Sequence, residues 1–425
     1  MNNKIYEQLK LTCEYDVVVA GGGTSGFAAA IAASRSGAKT LILEEQAFLG
    51  GMSTGGMISQ FMGFTNYEVK NGVKGIFGEL LERLEKEKAS TGIETIYLCG
   101  DKSLDVGAAP YNSETLKYIM DIMIRENNID VLFHTKVIDA VVIDNTLKYL
   151  VINNTETSLI KAKVFIDSTF HATVAYKCGC QCNIGDENNV MQPGTLMFKM
   201  SNIDEKKVAT FTREQNLMLA NKGIEEGSLF VNNILSRPIG NSTYYSNSSR
   251  VTVNPFDGFS WSNSEMEGRE QVQKIYRFFV NNVPGYENAI LSSTGTYVGL
   301  RDSRRIIGKY TLTKEDVLEG TEFDDAVVSS SYPVDIHDSN GTGSKLYKPK
   351  TGIFYIPFRC MVGEINNLIF TGRCISADYF AHAAIRVMVT CMKLGEAAGK
   401  AAALSIQQNI QVNKFDGSNI SIENK

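Results

Sequence analysis

Three guanidinium groups fall within five residues in the run Gly299-Leu-Arg-Asp-Ser-Arg-Arg, at Arg301, Arg304 and Arg305. On an extended segment Arg301 and Arg305 share a face. Arginine pairs bidentately with carboxylates and phosphates, so this segment can hold an anion. It can equally make internal ion pairs to Asp302, Asp335 or Asp338. Arg301 is the best functional candidate of the three. His382 and Arg386 lie four residues apart, a spacing that puts them on one helix face. Imidazole exchanges protons near neutral pH, which makes His382 the first acid–base candidate, with Arg386 beside it. Asp335 and His337 alternate along an expected strand and share its face, so His337 is the second. Tyr297, Tyr332 and Tyr379 could also donate protons.

These groups need a scaffold, and residues 16–45 supply its signature. Val17 to Ala20 form a short apolar run, as a buried parallel strand should. Gly21, Gly23 and Gly26 follow in G-x-G-x-x-G spacing, with Thr24 and Ser25 between them as further cofactor-binding candidates, and Phe27 to Ser36 are small and apolar, suiting a helix that Gly37 ends. Lys39 to Leu43 make a second strand with Glu44 at its end, eighteen positions after Gly26. Strand, glycines, helix, strand and terminal acid in this order mark a dinucleotide site. Gly21 allows the tight turn, Gly23 admits a pyrophosphate and Gly26 brings helix and strand together. The helix N-terminus offers free N–H groups to the phosphates. Glu44 is placed to accept hydrogen bonds from a ribose.

Composition narrows the class. The chain has 425 residues, 43% hydrophobic, with a net charge of −5, so it can build a large core and is a poor nucleic-acid binder. No apolar run approaches a membrane span, and the N-terminus lacks a signal-peptide core. A cytoplasmic protein is expected. Cys13, Cys99, Cys178, Cys180, Cys182, Cys360, Cys374 and Cys391 are then expected as thiols. Cys178, Cys180 and Cys182 have one-residue gaps and no evident fourth ligand, which favours a small buried turn over a metal site. No metal is expected.

Along the chain, residues 1–15 read as a surface leader and residues 50–70 as a loop close to a ligand. Helical periodicity runs from Val73 to Ser90, and Asn112 or Ser113 caps another helix. Short strands at 137–143, 147–152 and 158–166 form a meander with turns at Asp144-Asn145 and Asn153-Asn154. Val164-Phe-Ile-Asp-Ser168-Thr returns to the main sheet. Residues 191–348 alternate short strands with polar loops and carry a helix over 264–282. Leu368-Ile-Phe-Thr-Gly372-Arg373 reads as a final apolar strand ending in a glycine turn. Ala383 to Gln407 then read as one long helix, with His382 and Arg386 at its start. Residues 413–425 read as frayed. The division is a nucleotide-binding domain in two pieces, 1–190 and 349–425, with a substrate lobe inserted at 191–348.

Glu44-Glu45, a short spacer and Gly50-Gly51-Met52 resemble the second fingerprint of FAD enzymes of the glutathione-reductase class. There is no second G-x-G-x-x-G, so a separate NAD(P)H domain is not expected. Gly50-Gly-Met-Ser-Thr-Gly-Gly, Val283-Pro-Gly-Tyr-Glu-Asn-Ala, the Gly299–Thr313 run, Asp335-Ile-His, Ile356-Pro-Phe-Arg-Cys and Gly372-Arg-Cys-Ile-Ser-Ala…His382…Arg386-Val-Met extend the likeness over nearly the whole chain. On these motifs the chain resembles the bacterial FAD-dependent oxidoreductase family FAD_oxidored. The resemblance implies an α/β fold: a Rossmann-like FAD-binding domain with an inserted α+β substrate lobe. It implies FAD, held by the glycines, Glu44, Glu45, Met52, Ser168, Gly372, Arg373 and Val387; no histidine or cysteine has a recognisable flavin-attachment context, so the FAD is expected to be noncovalent. A backbone group at Val137 would lie near adenine. Backbone N–H groups near Arg386 and Val387 would meet the flavin pyrimidine edge, where a helix N-terminus stabilises the reduced anion. Relatives usually carry a Gly-Asp pair where this chain has Phe170-His171-Ala172, which could bring His171 near the cofactor.

The expected function is hydride transfer between flavin N5 and a small polar, anionic organic molecule. A monooxygenase or oxidase using O2, or a non-catalytic FAD-binding protein, are the rival readings. The expected partners are a small-molecule substrate and a separate electron donor or acceptor. Nucleic acid and membrane are not expected, and a homo-oligomer is compatible with the chain.

Overall fold

The computed structural model describes residues 6, 8–98, 103–234, 236–339 and 341–420. Cys99, the extreme N-terminus and residues 421–425 lie outside the described residues. The apolar run after the N-terminus ends the strand Leu11–Ala20, whose last four residues are fully buried. This strand pairs in parallel with Thr40–Leu43 on one side and Thr157–Asp167 on the other, with Val17 opposite Thr40 and Val164. Asp130–Leu132 extends the sheet beyond Thr40–Leu43, and Leu368–Phe370 pairs in parallel with Thr157–Asp167. Lys136–Ile143 and Thr146–Asn153 complete the sheet as the antiparallel meander. Its first turn carries Asp144 and Asn145 at positive φ, the geometry of a two-residue hairpin. An α/β, Rossmann-like architecture results.

Helix Thr24–Arg35 lies on this sheet with ten of its residues buried, because alanine and glycine leave almost no side chain to hold it away. The last long helix, Met388–Gln407, packs directly against it. A Cβ on Gly395 would stand 2.0 Å from the Ser25 carbonyl oxygen, and one on Gly399 would stand 2.1 Å from that of Ala29. The two backbones therefore touch, which fixes the relative height of both N-termini.

A second core spans Leu196 to Leu300. It is built on an antiparallel sheet in the order Ser236–Gly240, Thr243–Ser246, Phe198–Ser201 and Ile290–Thr294. The long helix Gly258–Asn282 packs on it through Val272, Ile275 and Phe279. That helix begins earlier than its apolar spacing predicts because Asp257 caps it, accepting from the N–H groups of Phe259 and Ser260 at 2.8 and 3.2 Å. Leu312, Val317, Val327 and Val334 belong instead to the core beneath the final helix.

Four expectations are corrected. Leu11–Tyr15 is not a leader but the start of the central strand, paired with Leu159–Ala162. The 50–70 segment contains the strand Gln60–Phe64, which pairs with Asp105–Pro110. Residues 413–420 are packed: Phe415 meets Phe358 at 5.6 Å between ring centroids, and Ile420 is buried. The expected single helix from Ala383 is two helices, Tyr379–Ile385 and Met388–Gln407, broken where Val387 takes an extended conformation. The Val387 side chain packs over Gly63, where a Cβ would be only 2.8 Å away, so tertiary contact fixes the break.

The contact of the two helices predicts that Gly395→Ala lowers stability by about 1–3 kcal/mol, the usual cost of overpacking. The midpoint of urea unfolding measures it, and an unchanged midpoint would show that the helices can part freely.

Candidate active site

The nucleotide cradle is built from close backbone approaches. Gly21 has φ +93°, and a Cβ there would lie 2.7 Å from the Ser168 carbonyl oxygen. A Cβ on Gly26 would lie 1.8 Å from the carbonyl oxygen of Gly21. Gly23, the helix N-cap, is different: a Cβ there would meet nothing within 4 Å, and no side chain caps the helix. The helix N–H groups thus face open space beside Gly51, which approaches Gly23 from the neighbouring loop. Gly50 bridges to Gly23 and is left-handed at φ +100°. Ser25 Oγ bonds Thr371 Oγ1 at 3.0 Å, tying the glycine loop to the strand end just before Gly372. Thr24 is buried beside them. The open space at Gly23 and the uncapped N–H groups fit a pyrophosphate.

Glu44 is buried and accepts from the backbone N–H groups of Gly22 at 2.7 Å and Gln46 at 2.8 Å. Burial pushes its carboxyl up, against the pull of those N–H groups. Glu45 faces solvent and pairs with Lys136 at 3.6 Å, an exposed contact of little energetic weight. Val137 is buried opposite Ile152. Met52 reaches between two loops, its methyl lying where a Cβ of Gly56 or Gly299 would be.

At the other end, Val387 precedes the final helix without any side-chain cap. Arg373 donates to the Leu300 carbonyl at 2.9 Å and stacks on Phe170 at 3.8 Å. Burial lowers its guanidinium to about 10. His382 lies inside the short helix, not at the head of the long one, and is 1% exposed. Its Nδ1 is sealed from solvent with no hydrogen-bond partner. Burial, then the charges of Arg305, Arg386 and Arg373, hold this imidazole neutral, well below its ordinary range.

Arg301, His337 and Arg386 do come together, around Asp335. Strand Val334–His337 pairs with Ser344–Tyr347 and presents Asp335 and His337 to each other, with Oδ2 and Nε2 3.2 Å apart. His337 Nδ1 meets Ser344 Oγ at 3.0 Å. Arg386 Nη2 donates to the Asp335 carbonyl at 2.8 Å and lies 3.4 Å from its carboxylate. Burial alone would push the Asp335 carboxyl up. His337, Arg386 and Arg301 outweigh it and hold the group well below the usual carboxylate range. Burial and the charge of Arg301 push His337 down to about 4. Arg301 donates to the carbonyl of Pro193 at 2.7 Å, Thr195 Oγ1 at 2.9 Å and Asn247 Oδ1 at 3.3 Å. Burial, then Arg386 and Arg250, lower it to about 9.

The other members of the arginine run are structural. Arg305 pairs with buried Asp302 at 2.7 Å, and Arg304 is stacked between Tyr176 and Phe256 at 3.8 and 4.0 Å. His171 bonds Ser303 and packs on Phe170 and Trp261, joining the chain after Thr157–Asp167 to the helix Gly258–Asn282. Sequence reading missed Arg250 and Gln192. Neither lies in a spaced motif, and only the fold carries them to the hairpin that holds His337.

A parallel sheet with a glycine-rich turn at its first strand end and a second glycine loop against it defines the class as a dinucleotide-binding α/β flavoprotein fold. The chain belongs to the FAD dependent oxidoreductase family, which it matches over residues 16–422. FAD is therefore its cofactor. The chain is 26% identical over 223 residues to a thiamine thiazole synthase of Desulfosudis oleivorans, covering 52% of this chain and 77% of that protein. It is 28% identical over 170 residues to one of Pyrococcus abyssi, covering 39% of this chain and 61% of that protein. In three dimensions it is similar to a geranylgeranyl bacteriochlorophyll reductase-like protein of Thermoplasma acidophilum, with TM-score 0.51 and 13% identity over 96% of this chain and 81% of that one. The p-nitrophenol 4-monooxygenase of Pseudomonas putida gives 0.50 at 10% identity, covering 95% and 83%. These two establish the shared fold. Among the described residues no helix is long and apolar enough to cross a membrane.

Because a Cβ at Gly23 meets no protein atom, Gly23→Val should fold to a protein of near wild-type thermal stability yet fail to retain FAD. Flavin absorbance after gel filtration measures this, and a yellow variant would place the pyrophosphate elsewhere.

His171, His337 and His382 all bind protons less readily than an ordinary histidine at 6.5. Their neutral forms stabilise the fold fully above about pH 6.5. That stability is lost as pH falls through their folded values, about 4 for His337 and about 3 for His171. Unfolding free energy should therefore drop between pH 7 and pH 4, by up to about 1.4 kcal/mol per pH unit for each histidine. Denaturant titrations at several pH values would detect it, and a flat profile would contradict the burial of these rings.

Proposed function

We propose that this oxidoreductase acts on a small polar organic anion bound at the Arg301–Asp335–His337–Arg386 cluster. The observation that carries the reading is an excess of buried positive charge with unused donors: Arg386 Nε is sealed from solvent and has no partner. Such a donor costs about 1–3 kcal/mol unless a ligand satisfies it. FAD, when bound, supplies a hydride acceptor or donor at flavin N5.

The chain's own residues do the rest. Arg386 and Arg301 hold the anionic group and set the distance of the neighbouring carbon. Arg386 also precedes the uncapped start of the final helix, so substrate anchor and helix N-terminus are adjacent in the chain. Asp335 accepts a hydrogen bond from His337 Nε2, so the Nδ1 lone pair accepts from the Ser344 hydroxyl. That nitrogen takes a proton from the substrate through the Ser344 hydroxyl, and Ser344 is exposed, so the proton reaches solvent. His337 replaces His382 in this role because it has a carboxylate partner and a route to water. His382 keeps a second place: its partnerless Nδ1 suits a hydrogen bond to a bound group rather than proton exchange with solvent.

The test is anaerobic photoreduction of the FAD-loaded protein, followed by small organic acids, their amides, NADH and O2, with oxidised enzyme mixed with the same compounds. Flavin redox change should be driven by acids and not by the corresponding amides. Arg386→Lys should retain FAD and weaken the response about 10–100-fold, the worth of a charged hydrogen bond. A response to neutral compounds alone would overturn the assignment.

A further inference from the structure

Resting on that reading, the geometry points to a dianionic substrate, a short-chain dicarboxylate held at one end by Arg386 and Arg301 and at the other by Arg250 with Gln192. Arg250 comes from the lobe, just before Val251, which bridges to Gly194. Its backbone is locked on both sides by Gln271, with Nε2 donating to the Arg250 carbonyl at 2.7 Å and Oε1 accepting from its N–H at 2.8 Å. Its Nη2 donates to the Gly343 carbonyl at 3.2 Å, at the tip of the hairpin that carries His337 and Ser344. Its Nε and Nη1 are sealed from solvent and have no partner.

Gln192, bonded to the same hairpin, supplies another unused donor. Its Oε1 accepts from the His337 N–H at 3.1 Å, while its Nε2 is buried without a partner. Unused donors thus occur on two separate pieces of chain, at Arg386 and at Arg250–Gln192, with His337 linked to both.

Charge bookkeeping agrees. The Arg250, Arg301 and Arg386 guanidiniums face one Asp335 carboxylate, and the His337 ring is neutral at physiological pH. Asp338, which also acts on Arg250, is exposed and screened by water. Two positive charges remain in a site largely closed to solvent. A monocarboxylate neutralises one of them. A phosphate monoester concentrates both negative charges on one group and cannot reach donors on two sides. Two carboxylates separated by a short carbon chain meet both conditions, and the carbons between them are those available for oxidation or reduction.

The experiment titrates the FAD-loaded protein with succinate, glutarate, butyrate and inorganic phosphate, by calorimetry and by flavin difference spectra. At least one dicarboxylate should bind about tenfold or more tighter than butyrate, and phosphate should not exceed butyrate. Arg250→Met should remove most of the gap between dicarboxylate and butyrate, and Arg250→Lys should restore part of it. The wild-type comparison stands even where a variant folds poorly. Butyrate binding as tightly as both dicarboxylates, or phosphate binding tightest, overturns the dianion. If butyrate binding persists and is weakened by Arg386→Lys, the anionic-substrate reading survives that failure. If no carboxylate binds, both fall.

Discussion

The structure depends on two helices that touch backbone to backbone. Gly395 and Gly399 of the final helix sit against the carbonyls of Ser25 and Ala29 in the glycine-loop helix, with no room for a methyl group. One helix begins at the cradle formed by Gly21, Gly23 and Gly26, and the other begins beside Arg386. The distance between these two N-termini is therefore set by something stiff. Side-chain packing gives way by fractions of an ångström through rotamer changes, whereas main chain in direct contact does not. The parallel strands Leu11–Ala20, Thr157–Asp167 and Leu368–Phe370 hold the same two helices from below. Asp167, buried at the end of the middle strand, accepts from the N–H groups of Thr169 and Ala175 and so fixes where the chain leaves the sheet.

How much of this could be read beforehand follows from how local each feature is. The first β-α-β unit was legible because strand, three glycines, helix and acid lie within thirty consecutive residues and each has a separate steric reason. The meander was legible because alternation and turn residues recur at short range. The break at Arg386–Val387 was not, since nothing between Ala383 and Gln407 breaks a helix intrinsically; the contact of Val387 with Gly63 comes from more than three hundred residues away. The arginine run shows the same division. Its density was visible, but not that Arg305 would be consumed by Asp302 and Arg304 by two aromatic rings. Arg250, which carries unsatisfied donors, had no local mark at all.

The buried charges also differ in what they do for the fold. Arg305 with Asp302, and Lys393 with Glu68 at 2.7 Å, are pairs whose members answer one another. Around Asp335 the count does not balance, and the surplus is one of cations. Desolvating a guanidinium without a counter-charge is unfavourable, so this cluster works against stability more than the paired charges do. A protein that keeps such a surplus is holding free energy available for whatever neutralises it, in keeping with the general opposition between stability and function at binding sites.

The grip of Arg250 on the carbonyl of Gly343 has an evolutionary side. It joins a residue of the Leu196–Leu300 core region to a hairpin whose first strand packs against the short helix Tyr379–Ile385, so the donors at Arg250 and at Arg386 are carried by different parts of the chain. Arg386 lies just before the final helix, whose glycines touch the glycine-loop helix, so that end cannot drift without disturbing the helix contact. The lobe has no such obligation: its core from Leu196 to Leu300 can be repacked, or its loops lengthened, while the glycine turn and the helix pair stay as they are. Selection for a longer, shorter or differently charged metabolite would then act on one segment alone, and members of this family could diversify in what they recognise while inheriting the same redox half unchanged.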